Sequence, residues 1–334
     1  MWFKNLVLYR FQQTFAVSSD TLEKSLDEHP FRPCGKTELS SWGWVPAVPG
    51  GKTQVHVSGP FWLIAARKEE KILPGSVIRD AVNEKVEALE KERDGKVSRK
   101  EKKAIKEEVT LSLLPKAFTR SQTTWAMINK KEGWLMVDAG SFKQAEELTS
   151  SLRSCLGSLP LLPPSLKCPA SDTMSAWLDT SATTLPTGFA LGDECELRDR
   201  SDDGAIIRCK NQDLLAEEMT NHLNAGMEVS RLQLHWEGGI SCVVGEDLLI
   251  RRLKFSETLQ TDQGIAHSKA EQFDADFTLM AMTVQTFVAE LLNALGGEQE
   301  KRGEMSESGA QTVQAPLSSE KSTSDTPFCT EPAF

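Results

Sequence analysis

Apolar and polar residues alternate through the opening MWFKNLVLYRFQQTF, and this period of two predicts a first strand over Trp2–Phe11. Ser19–Leu26 returns apolar residues at helical spacing, with Ser19 or Asp20 able to cap a short helix. The Gly-, Pro- and Trp-rich Ser40–Gly51 reads as a loop. Gln54–Ser58 and Phe61–Arg67 read as strands paired across Gly59–Pro60, and Thr123–Asn129 and Gly133–Asp138 as a second pair across Lys130–Glu132. A helix follows at Phe142–Leu156, then a Pro-rich connection, Pro160–Pro169.

Farther on, Ala205–Lys210 reads as a strand and Gln212–Asn224 as a helix ended by Gly226. Glu228–Trp236, Ile240–Val244 and Leu248–Phe255 are then strands joined by tight turns. Both stretches run strand, helix, antiparallel strands; no residue identity between them establishes a duplication. Phe277, Met280, Val284, Phe287, Val288, Leu291 and Leu295 mark a last helix, capped by Asp274 or Asp276 and ended by Gly296–Gly297. Residues 298–334 are polar and aperiodic, too poor in apolar surface to offset chain entropy, and read as a disordered acidic tail.

Between the paired strands lies a different pattern. Ser76 opens a helix after Pro74–Gly75, with a narrow stripe of Ile78, Val82, Val86 and Leu89. Asp94–Gly95 makes a turn, Ser98 and Glu101 have the spacing of a capping box, and Ile105, Val109 and Leu113 continue a second helix to Pro115. Two such helices on a short turn must lie antiparallel, which predicts a helical hairpin projecting from the sheet. The fold class is therefore α+β, antiparallel sheets flanked by helices with a projecting hairpin. We divide it into a central unit (1–75 and 118–165), a finger (76–117), a second α+β unit (166–297) and the tail.

The chain of 334 residues has a net charge of −10, of which −6 remains on residues 1–297, and this overall balance argues against a nucleic-acid binder. The finger departs from it: Lys91, Arg93, Lys96, Arg99, Lys100, Lys102, Lys103 and Lys106 stand against only Glu92, Asp94 and Glu101. Such a cluster is either a solvated helical face with i,i+4 pairs or a phosphate-neutralising surface. Two smaller basic features accompany it. Arg208, Lys210 and Gln212 sit at a strand-to-helix junction suited to phosphate contact, and Arg252 and Lys254 share one strand face opposite Leu253 and Phe255.

Other chemistry is absent from the pattern. The seven cysteines are scattered without C-x-x-C pairs, and His29, His56, His222, His235 and His267 lack metal-ligand spacing. Phosphate-loop, nucleophile-elbow and H-E-x-x-H motifs do not occur. Asp274 and Asp276 could share a metal with a third carboxylate, though capping is the simpler role. Neither enzyme nor cofactor nor metal is expected. No apolar run approaches the roughly 20 residues of a membrane span. The N-terminus lacks a signal-peptide cleavage site, so a cytoplasmic protein with no membrane partner is expected.

Seven strings, spread in order over residues 1–297, resemble the bacterial recombination-associated RdgC family. They are WFKNLVLYRF, GWVPAV, AARKEEKILPGSVI, LLPKAFTR, IIRCKNQDL, RRLKF and FDADFTLM with LLNALGG. The resemblance implies a homodimer closed into a ring around duplex DNA, bound without sequence preference. It also implies a nucleoid-associated protein that restrains RecA, with no known catalysis. It implies that the finger meets its partner across the two-fold axis and that Phe118 closes the gate. Lys210 and Gln212 match a polar, basic stretch facing the hole, but Asn211 stands where a second lysine is expected. Lys96 matches a basic position, whereas Gly95 replaces another. The rival expectation is a protein-interaction scaffold that dimerises through the hairpin and has no DNA role.

Overall fold

The computed structural model describes residues 1–179, 185–201, 204–261 and 268–299. The predicted tail boundary falls two residues early: Glu298 bridges to Leu166 and pairs with Arg10 at 2.5 Å, and Gln299 N–H donates to the Ser165 carbonyl at 2.8 Å. The rest of that tail lies outside the described residues, as does His267.

The protein is α+β, and its sheets are antiparallel throughout. The first sheet contains β1 (Val7–Phe11), β2 (Ser40–Val45), β3 (Val55–Ser58), β4 (Phe61–Ile72), β5 (Phe118–Asn129), β6 (Trp134–Val137) and β7 (Leu161–Leu162). Its order is β2-β4-β5-β6-β1-β7, with β3 also paired to β4. Helices α1 (Ser19–Asp27) and α4 (Phe142–Leu156) cover one face, burying Leu22, Leu26, Leu148 and Leu152 against Tyr9, Trp44, Ile64 and Ile128. The other face joins a second core through Leu8, Leu63, Met127 and Met136. Burial on both faces explains the unbroken apolar run Phe61–Ala66, since a strand covered on both sides has no polar side.

Beyond that run, β4 and β5 continue as a largely exposed ribbon in register from Arg67↔Thr123 to Ile72↔Phe118. Helices α2 (Gly75–Arg93) and α3 (Arg99–Leu113) are inserted at its end, followed by a 3-10 turn at Leu114–Lys116. They share a small core of Val82, Ile105 and Val109, flanked by Ile78, Val86, Leu89 and Leu113. Asp94 takes a left-handed φ of 48° to close α2, a conformation that aspartate tolerates. Both halves of the Ser98–Glu101 capping box then start α3.

The second sheet has the order β12-β11-β10-β8-β9. Its strands are β8 (Phe189–Asp199), β9 (Ile206–Lys210), β10 (Met227–Trp236), β11 (Ile240–Gly245) and β12 (Ile250–Phe255). Helices α5 (Ala170–Leu178), α6 (Glu217–Asn224) and α8 (Lys269–Ala294) share one core with its apolar face, and α7 (Glu257–Thr261) follows β12. By length and apolar composition α8 would suffice to cross a membrane; here Phe277, Met280, Val284, Phe287, Val288 and Leu291 are buried in the core.

Several expectations are corrected. Ser40–Gly51 is not all loop, since it contains β2. Ser18, not Ser19 or Asp20, caps α1, and Ser268, not Asp274 or Asp276, caps α8. Asp276 instead holds the N-terminal ammonium at 3.0 Å, and Asp274 lies 2.9 Å from His56 Nε2. The helix expected from Gln212 begins only at Glu217, because residues 211–216 are taken up by turns. Trp2–Leu6 precede the first strand, which starts at Val7.

Candidate functional site

The eight cations from Lys91 to Lys106 are all exposed. Among the described residues only Arg93 of these is in an ion pair, with Glu101 at 3.1 Å. A second pair between α2 and α3 uses a lysine outside the cluster, Lys85 with Glu108 at 2.6 Å. The i,i+4 pairing that would make the cluster an ordinary solvated face, such as Lys103 with Glu107, does not form. The remaining seven charges are therefore available to an external anion. Electrostatic affinity for a polyanion grows with the number of such charges it can neutralise.

Phe118 sits at the start of β5, 84% exposed, directly opposite Ile72, which is 48% exposed. An aromatic side chain at that exposure contributes almost nothing to the fold of a single chain. Exposed side by side on a ribbon, the two residues form an apolar spot available to a partner.

The second sheet presents its cations differently. Along β10, Leu232, Leu234 and Trp236 turn toward α8, so Arg231, Gln233 and His235 face away from the helices. Arg208 and Lys210 on β9 share that outer face with Glu196 and Glu194, their cross-strand partners on β8. Arg252 and Lys254 are exposed on β12, and Leu253 and Phe255 are buried, as alternation requires. Unlike the α2–α3 cations, most of these are paired. Arg208 lies 2.7 Å and Arg231 3.2 Å from Glu196, Lys210 lies 3.9 Å from Glu194, and Arg252 also bonds Glu194. Val243, 6% exposed, lines a hollow together with Arg208, Arg231 and Arg252.

The junction after β9 does not offer the helix N-terminus expected of it. Asn211 is left-handed, Gln212 N–H donates to the Asp193 carbonyl, and the first turn of α6 is acidic, with Glu217 and Glu218. Gln212 lines an open hollow with Asn211, Gln233 and His235. Sequence reasoning missed Arg231, Glu194 and Glu196, and the signal for the last two was present. The stretch DECELRD alternates with period two and would have revealed β8.

The comparisons with known proteins bear on what these surfaces serve. A family model described as "Putative exonuclease, RdgC" matches residues 1–298. The chain belongs to the RdgC family. The recombination-associated protein RdgC of Tolumonas auensis is 46% identical over 301 residues, covering 89% of this chain and 99% of its own length. That of Aeromonas hydrophila is 45% identical over 303 residues, covering 90% and 99%, and that of Pseudomonas aeruginosa is 44% identical over 309 residues, covering 91% and 100%. The two descriptions of the RdgC family differ, one naming a nuclease activity and the other a place in recombination. Among the described residues no three His, Cys, Asp or Glu side chains converge as a metal site. Asp274 and Asp276, the carboxylates singled out above, engage separate partners.

Proposed function

We propose that this protein binds DNA by its phosphate backbone without reading sequence, as two copies closed into a ring around the duplex. In this reading it acts in the cytoplasm on the nucleoid and modulates RecA-dependent recombination by limiting access to DNA. The observation that carries it is the set of seven exposed, unpaired cations on α2, α3 and the turn between them, at the far end of the β4–β5 ribbon. Such a surface suits phosphates, which need neutralising charge and no base contacts. The recombination-associated name of the relatives agrees with a DNA partner. The α2–α3 pair serves as a projecting hairpin whose end meets the second copy, and Phe118 with Ile72 supplies the apolar seam that closes the ring. Cations on the second sheet face the enclosed DNA.

A gel-shift titration at about 50 and about 200 mM salt tests the reading. Binding to unrelated duplexes with equal affinity, falling steeply between the two salts, is expected. No binding to any DNA at the lower salt overturns it and leaves a protein-interaction scaffold dimerising through α2 and α3. An end-labelled duplex incubated with Mg²⁺ and this protein should stay intact; progressive shortening would support the nuclease description. RecA assembly on DNA already covered by the protein should be delayed, and an unchanged lag counts against the RecA role.

A further inference from the structure

The second sheet carries a cation cluster that is already occupied. Glu194 and Glu196 are 20% and 12% exposed, whereas the cations above them, Arg208, Lys210, Arg231 and Arg252, are 43% to 64% exposed. Each carboxylate therefore lies at the bottom of a pair of cations. The arrangement is built, not incidental. Arg252 reaches from β12 to Glu194 on β8, across two intervening strands. Its backbone is left-handed, with φ 53°, a conformation that a residue bearing a Cβ adopts only at a cost. It sits where the β11–β12 register slips between Ser241 and Val243, and such irregularities re-aim side chains. Both carboxylates are held ionised. The Arg252 hydrogen bond lowers the Glu194 pKa, and although burial pushes Glu196 up, Arg208, Arg231 and Ser230 outweigh it and bring it below its usual value.

We propose that Glu194 and Glu196 are internal stand-ins for phosphate, neutralising half of a four-cation cluster so that this face takes a polyanion only in competition with them. For DNA as that polyanion, the inference rests on the proposed function above. The seven α2–α3 cations then meet phosphates first, and the second sheet adds a weaker hold set by its own carboxylates.

The test is the double variant Glu194→Gln with Glu196→Gln. Glutamine keeps an acceptor oxygen and nearly the same volume, so the guanidiniums stay placed while two negative charges disappear. Two probes are used: fluorescence anisotropy of a labelled duplex across a salt series, and calorimetric binding of inorganic tripolyphosphate. Tighter binding of both probes is expected. Two freed cations should steepen the dependence of log affinity on log salt by up to about 1.8, giving roughly tenfold or greater tightening near 0.1 M salt. Glu146→Gln, exposed on α4 over the first sheet, removes one charge outside the cluster and should change neither probe.

Unchanged or weaker binding of both probes by the double variant overturns the proposal, as does an equal gain from Glu146→Gln. If the unaltered protein binds DNA and the double variant is unchanged, the DNA reading stands and this inference falls. If no DNA is bound but tripolyphosphate binding tightens, the reverse holds. Should the double variant fail to fold, each single Glu→Gln is read the same way with about half the change in slope.

Discussion

Replacing one lysine of the α2–α3 cluster should weaken DNA binding modestly, whereas replacing Lys96, Lys100 and Lys103 together should weaken it by orders of magnitude. Each phosphate contact adds about 0.9 to the slope of log affinity against log salt. Near 0.1 M salt that corresponds to a factor of about 8, or about 1.2 kcal/mol, for each contact. Three lost contacts compound to roughly 500-fold at the same salt. A single change such as Lys100→Gln should cost less than the full factor of 8, because the DNA backbone repeats and neighbouring exposed lysines can take over a phosphate. None of the three has a carboxylate partner among the described residues, so stability should stay within about 0.5 kcal/mol. Anisotropy of a labelled duplex over a salt series gives the slope, and a thermal melt gives the stability. A triple variant with the original slope would show that these cations do not meet phosphate. A single variant that abolishes binding would show one decisive contact in place of pooled charge.

Phe118→Ala should leave the melting temperature nearly unchanged, because the ring is 84% exposed, yet shorten retention on circular DNA more than on a short duplex; equal loss on both speaks against a closing seam. Ile105→Ala removes one of only three buried residues between α2 and α3, a change that costs about 2–5 kcal/mol in ordinary cores. Helical ellipticity should fall while near-ultraviolet tryptophan signals persist, since residues 75–113 contain no tryptophan; simultaneous loss of both would mean that the helices and sheets unfold as one unit. Burial raises the pKa of Asp138, while amide hydrogen bonds from Asn5 and Lys4 at 2.9 and 3.1 Å partly oppose it. The folded state thus favours the protonated carboxyl, and its stabilising effect is lost as pH rises from about 3.9 through the folded pKa. Asp138→Asn does not titrate, so its stability relative to the unaltered protein should climb across that window and then level; a difference independent of pH refutes the assignment.

Periodicity located what periodicity controls. Helix α4 has the predicted bounds Phe142–Leu156, and Ser98–Glu101 forms the predicted capping box of α3, because both depend on neighbours close in sequence. Apart from the two-residue β7, the strands read as loop or missed, β2 and β8, share a cause. Each contains a glycine that sequence treats as a turn signal but structure uses for close approach. A Cβ on Gly43 would lie 2.4 Å from the Phe31 backbone, and one on Gly192 would lie 2.5 Å from the Gln233 side chain. Two register shifts along the β8–β10 pairing further disturb its alternation. Helix α5 went unread because Pro169 looked like a continuation of the Pro-rich connection, whereas it stands immediately before the first helical residue. The misplaced cap of α8 is a tertiary effect: Asp274 and Asp276 answer to His56 and to the N-terminus, groups more than 200 residues away.

The same distinction between local and tertiary information governs charge. A net charge of −10 argues against a DNA-binding role only if charges act together across the whole surface, and at physiological salt they act over about 8 Å. Within that range the two basic regions differ in kind. The α2–α3 cations could be recognised from sequence because their surplus is contiguous, eight against three, too few anions to pair them all. Arg208, Lys210, Arg231 and Arg252 look equally available in sequence, yet each meets a carboxylate, and both carboxylates come from β8, a strand that sequence did not reveal. Counting cations therefore overstates the second sheet and not the helices. It follows that the salt dependence of binding should be dominated by α2 and α3 until Glu194 and Glu196 are neutralised, when the second sheet should begin to contribute in proportion.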